Sequence, residues 1–293
     1  MTINLQKLIN ESSQLVSPPD VWVKMNELIH DEHASATDMA EVIQRDPGLT
    51  ANILKVVNSA FYNLSRQVDT VSRAIAIIGT NDLYNLATAL TAAKVFSNIP
   101  CHLTSPEIFW RHSIATGILA KKIAARCSVL GSERLYVAGL LHDIGSLLLY
   151  SQHPELSSEV LMIANGDEEV LHQAEIDIIG FSHARVSAEL LRLWNMPETL
   201  ITAIEFHHDP SMSAENHLDA AIIYLANYVA NLQQSSAFME NSNVDLTSID
   251  TRIWEMTGLN ESVIEELLEE HEQDLTVALS VMLPAASAVH KHN

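Results

Sequence analysis

The sequence has little of what stabilises small secreted, fibrous or membrane proteins. It holds two cysteines, Cys101 and Cys127, with no Cys-x-x-Cys spacing. That leaves no disulfide framework and fits a reducing cytoplasm. Nine glycines and nine prolines in 293 residues exclude collagen-like, disordered and turn-rich all-β chains. Basic residues are also scarce: 16 Lys and Arg stand against 37 Asp and Glu, a formal net charge of -21. So acidic a surface repels phosphodiester backbones and anionic lipids, and neither a direct nucleic-acid partner nor a membrane partner is expected. The N-terminus lacks a basic segment followed by an apolar run, and no apolar stretch approaches the ~18 positions of a membrane span. A cytoplasmic protein without a transmembrane helix is the expectation.

What remains is helical material. Hydrophobic residues make up 47% of the chain, and the punctuation is that of helices. Asp46-Pro47 reads as an N-cap followed by proline at the first helical position, ahead of an apolar face of Leu49, Ile53, Val56 and Val57. Ser35 and Thr37 precede Met39, Ala40, Val42 and Ile43. Thr70 opens a helix that Gly79 is placed to end, and Thr80 is read as the cap of the next, to about Phe96. Six helices are expected before Asn98, and β-alternation is absent. The fold class is therefore all-α, a multi-helix bundle with short connectors.

Residues 97–104 mark the expected boundary, giving an N-terminal bundle over 1–100, a second helical core over 101–235 and a C-terminal extension over 236–293. Ser105-Pro106 starts a long helix to about Cys127. Another runs from Ser132 towards an end at Gly145. Further helices are expected over 154–164, 168–179, 182–195, 197–207 and 218–232. After a polar loop over 233–248, two helices close the chain, the last with Glu265, Glu266, Glu269 and Glu270 as a solvated face.

Fourteen histidines give the sequence its chemical character. His112 lies near the start of the Ser105 helix, His142-Asp143 precede Ile144-Gly145, His183 follows Ser182, and His207-His208 end the helix after Pro197. Imidazole and carboxylate together suit iron, zinc or manganese. Side chains adjacent on a helix diverge by about 100°, so His142 and Asp143 can share a site most readily where a helix terminates, the role assigned to Gly145. Taken singly, His112 or His183 reads as a cap or a satisfied surface residue, and a hydrogen-bonded polar core without metal is equally open. His30, His33, His102, His153, His172, His217, His271, His290 and His292 show no ordered spacing and are expected at the surface.

From His112 onward the chain resembles the HD superfamily of metal-dependent phosphohydrolases. The resemblance rests on Phe109-Trp110-Arg111-His112-Ser113, Gly139-Leu140-Leu141-His142-Asp143-Ile144-Gly145, Ser182-His183-Ala184 and Ile204-Glu205-Phe206-His207-His208-Asp209-Pro210. Earlier stretches, Arg45-Asp46-Pro47-Gly48-Leu49-Thr50, Val57-Asn58-Ser59-Ala60-Phe61-Tyr62 and Ser72-Arg73-Ala74-Ile75-Ala76-Ile77-Ile78-Gly79, make the whole similar to an HDOD protein, the HD-related output domain of bacterial signalling. The resemblance implies that His112, His142, Asp143, His183, His207 and His208 match positions binding one or two divalent ions (iron, manganese or zinc) in active relatives, with Asp143 the catalytic candidate. Two positions depart from those enzymes. Asn227 stands where they end the set with aspartate, and Ser146 where phosphodiesterases commonly carry lysine. Asp219 does not substitute, since eight helical residues put it about 12 Å of rise from Asn227. The implied function is a signalling module with a degenerate metal pocket, working through other signalling proteins. The alternative is a phosphohydrolase acting on a nucleotide or cyclic dinucleotide. No receiver or cyclase segment accompanies the module, so its input is expected from another chain.

Overall fold

A computed structural model describes residues 3–12, 16–59, 62, 64, 66–213, 217–236 and 246–282. Among them there is no strand. The first six helices are α1 (Leu5–Ser12), α2 (Asp20–Ile29), α3 (Ala36–Gln44), α4 (Pro47–Val57), α5 (Val71–Ile78) and α6 (Thr80–Phe96). The next seven are α7 (Pro106–Arg126), α8 (Glu133–Leu141), α9 (Ile144–Gln152), α10 (Pro154–Ala164), α11 (Glu168–Ile178), α12 (His183–Leu193) and α13 (Glu198–Glu205). A 3-10 turn at Pro210–Met212 leads to α14 (His217–Ser236), α15 (Thr251–Thr257) and α16 (Glu261–Met282). None is long and apolar enough to cross a membrane.

Local chemistry sets most of the starts. Asp46, Thr70, Ser105 and Ser182 each accept a backbone N–H of the first turn. Ser35 and Asp38 form a reciprocal capping box, which satisfies two otherwise orphan donors. Thr80 does not cap α6: it is the first helical residue, and Gly79 joins α5 to α6 at φ +90°, ψ 160°.

A larger correction concerns Gly145, which does not terminate a helix. The chain breaks two residues earlier, at His142–Asp143, and α9 begins at Ile144. The break is held from outside: Ser187 Oγ donates to the His142 carbonyl at 2.7 Å and accepts the Gly145 N–H at 2.9 Å. Gly145 instead permits close packing, because a Cβ there would overlap the His183 carbonyl and the backbone of α12. Gly117 and Gly139 do the same between α7 and α8, where a Cβ on either would come within 2.8 Å of the other helix's backbone. These two contacts draw His112, His142–Asp143 and His183 together.

One buried apolar cluster runs from Leu8 to Leu275. Trp194, at the end of α12, ties the early helices to the later ones: its ring lies 5.3 Å from Trp22 and 5.6 Å from Phe96, and its N–H donates to the Val16 carbonyl. Two histidines expected at the surface are not there. His172 is half-buried, its ring stacked 4.6 Å from that of His208. His271 is fully buried on α16, which packs on α7. His30, His33, His102 and His217 are exposed and His153 is half-buried, while His290 and His292 lie outside the described residues. Glu265 and Glu266 are exposed as expected. The side chains of Glu269 and Glu270 lie outside the described residues.

Candidate metal centre

Six side chains from four places in the chain converge. His112 comes from the second turn of α7, His142 and Asp143 from the break between α8 and α9, and His183 from the first residue of α12. His207 and His208 come from the turn after α13. Asp143 lies at the middle. Its Oδ2 lies 3.2 Å from His142 Nε2 and 3.7 Å from His112 Nε2, and its Oδ1 3.2 Å from His183 Nε2 and 3.9 Å from His207 Nε2. His208 Nε2 is 3.0 Å from His183 Nε2, and His112 Nε2 is 3.3 Å from His142 Nε2.

The outward ring nitrogens explain this orientation. His142 Nδ1 lies 2.7 Å from the Gly139 carbonyl and His207 Nδ1 2.7 Å from the Ile204 carbonyl. A carbonyl only accepts, so both Nδ1 atoms carry the proton and, in the neutral ring, both Nε2 lone pairs face inward. His183 Nδ1 is held at 2.7 Å by Glu175 Oε2, which also accepts the His183 backbone N–H. Glu175 is buried, and nothing in its sequence context distinguished it from a surface helical acid. Anchoring the far nitrogen of an imidazole to a carbonyl or carboxylate is how proteins aim histidines at metal ions.

The electrostatics follow from burial and from Asp143. Burial pulls His112 down to about 4 and takes His207 and His208 well below the usual histidine range, with neighbouring imidazoles adding to the effect. For His183 burial acts the same way, but Glu175 and Asp143 outweigh it and hold the ring well above that range. Asp143, against the cost of its own burial, is held well below the usual carboxylate range by His142 and His183.

The donor set fits a divalent ion. Buried His207 Nε2 and His112 Nδ1 have no hydrogen-bond partner, which a self-satisfied polar core would not leave. Two three-donor groups, His112–His142–Asp143 and His183–His207–His208, each have ligand atoms within 4.8 Å of one another.

The remaining wall differs from that donor set. Asn227 is buried, and its Oδ1 accepts from Asn231 at 3.1 Å. Ser146 is buried in the first turn of α9. Asp219 is bound by Arg134 in a two-pronged pair at 2.7 and 2.8 Å. Three cavities open beside the cluster. One of about 210 Å³ touches His112, Asp143, Ser146 and Glu168; one of about 340 Å³ touches Glu168, His208, Asn227 and Asn231. The third, about 560 Å³, reaches from His208 and His172 to Tyr224, Asp250 and Arg252. Glu168, which the sequence reading passed over, is pushed up to about 7 by burial and by Asp143.

Comparison with known proteins agrees with this architecture. A 1.62 Å crystal structure of a "putative phosphohydrolase" from Shewanella amazonensis SB2B superposes with a TM-score of 0.75 at 21% identity, covering 94% of this chain and 97% of that one. An HDOD domain protein of unknown function from Geobacter sulfurreducens gives 0.71 at 23% identity, covering 94% and 98%. A "putative signal transduction protein" from Marinobacter aquaeolei VT8 gives 0.71 at 20%, covering 95% and 64%. At these identities the likeness establishes the fold. An uncharacterized protein of Treponema pallidum (strain Nichols) is 26% identical over 203 residues, 68% of this chain and 38% of the length of that protein. The HDOD domain model matches residues 15–210, two thirds of the sequence and all six converging side chains, and the chain therefore belongs to the HDOD domain family.

Proposed function

We propose that this chain is an output module of bacterial signalling, acting in the cytoplasm through contacts with other signalling proteins. In this reading its His/Asp cluster holds one or two divalent ions (iron, manganese or zinc) without turning over a substrate. The observation that carries the reading is the charge of the cavities above the cluster. Glu168, Glu169, Asp209 and Asp250 line them. Arg252 is the Lys or Arg side chain on that lining among the described residues, and Asp250 already holds it at 2.8 and 2.5 Å. A phosphate approaching such a rim meets repulsion on the order of a few kcal/mol per close carboxylate near the surface, while a cation is drawn in. Ser146 offers no positive charge and Asn227 no negative one. The test is an assay of manganese- or iron-loaded protein on phosphodiesters and nucleotides. No turnover above the His142→Ala background is expected, and metal-dependent turnover lost in that variant would contradict the reading.

One observation favours the second reading, a phosphohydrolase on a nucleotide or cyclic dinucleotide. The two three-donor groups flank one aspartate, and Asp143 offers one oxygen towards each. When bound, divalent ions there would polarise a phosphoryl oxygen and acidify a water. The chain's own part in that reading is positioning: Glu175, Gly139 and Ile204 fix the imidazoles, and Asp143 is shared between the groups.

A further inference from the structure

Three consecutive acids open α11, and they have different employments. Asp167 is the N-cap, accepting from the Glu169 and Val170 N–H groups at 3.0 Å. Glu169 is exposed and lies 3.4 Å from the Tyr224 hydroxyl. Glu168 is half-buried and, among the described residues, no hydrogen bond or ion pair engages its carboxylate. It forms wall in two cavities at once, the one reaching His112 and Asp143 and the one reaching Asn227 and His208. Asn231, which donates to Asn227, is the other residue common to both. Glu168 thus shares one cavity wall with His112 and Asp143 and another with Asn227 and His208.

We propose that Glu168 supplies this site with the carboxylate that Asn227 does not, as the anionic group on the open side of the donor set. The inference rests on the metal-binding reading above. Two divalent ions carry four positive charges, and against them the cluster brings Asp143, with Glu175 behind His183. Five imidazoles contribute no charge when neutral. On α14 the acid of the first turn, Asp219, lies away from the site and is engaged by Arg134. An unpaired, half-buried carboxylate on the same cavity wall as Asp143 is unfavourable in the empty protein, and a cation in that cavity removes the conflict. In this proposal the carboxylate comes from α11 rather than α14, so the α14 position alone undercounts the ligand field.

Calorimetric titration of full-length protein with Mn²⁺ tests this, using wild type, Glu168→Gln, Glu169→Gln, Asn227→Asp and the Glu168→Gln/Asn227→Asp double variant. Glu168→Gln is isosteric and begins a helix capped by Asp167, so circular dichroism should show an intact fold. The expected result is a loss of about 10-fold or more in affinity for Glu168→Gln, little change for Glu169→Gln, and recovery in the double variant. Wild-type binding with Glu168→Gln within about two-fold of it would overturn the inference while leaving the metal site standing. Equal losses in Glu168→Gln and Glu169→Gln would overturn it too, by reducing it to a general field. A wild type that takes up no ion would overturn the metal reading and this inference together.

Discussion

At the floor of the site, each of three imidazoles is anchored through Nδ1 and turned so that Nε2 faces Asp143. In the walls above, Asn227, Ser146, Glu168 and Glu169 line open space with no free lysine or arginine among the described residues. In the proposed reading the floor is prepared for a cation, whereas the walls lack the charges that would hold a phosphate beside it. A donor set and a substrate site are separable, because the donors are fixed by helix packing whereas Glu168 and Glu169 line open cavities.

The comparison breaks most completely if the floor is forced apart. Gly145→Ala puts a methyl group into the backbone of α12, and such overpacking costs about 1–3 kcal/mol or more. Because Asp143 and His183 sit on either side of that contact, metal uptake should be lost as well. Thermal melts and elemental analysis check the two effects. A milder break is Glu175→Gln, which keeps the shape but weakens the hold on His183. A loss of about 10- to 100-fold in metal affinity is expected by calorimetry, with the fold retained.

A histidine away from the site sharpens the contrast. His271 is as buried as His142, but both its ring nitrogens lack partners, and burial with Lys122 nearby pulls it down to about 4. Unfolded, it would take up a proton near 6.5; folded, only near 4. Between those values the unfolded chain binds the extra proton, so this residue's contribution to stability falls as the pH drops. The slope is about 1.4 kcal/mol per pH unit. His271→Leu should flatten the decline in denaturation midpoint between pH 6.5 and 4 relative to wild type. The smallest effect expected is at the wall: Ser146→Lys should improve retention of inorganic phosphate by metal-loaded protein several-fold at most, since Glu168 and Glu169 remain. A larger gain would show that the rim carboxylates matter less than argued.

What the sequence made legible was local. Helix starts at Ser35, Asp46, Thr70 and Ser105 depend on a side chain and an N–H three residues away, and the apolar period identifies the helices between them. The six converging residues were visible through motif resemblance, not through spacing alone. The break at His142–Asp143 was misplaced to Gly145 because Ser187, 42 residues on, holds it. Glu175 and Glu168 look like ordinary acids of an exposed helix until α11 is packed against the cluster. His271 reads as one polar residue in an acidic helix, and only the docking of α16 on α7 buries it.

The central claim, a metal-binding floor, is tested most directly by elemental analysis of wild type beside His142→Ala, purified without a histidine tag or chelator. The account predicts iron, manganese or zinc at near-stoichiometric levels in wild type and its loss in the variant. Wild-type protein that stays empty after incubation with all three ions would contradict it.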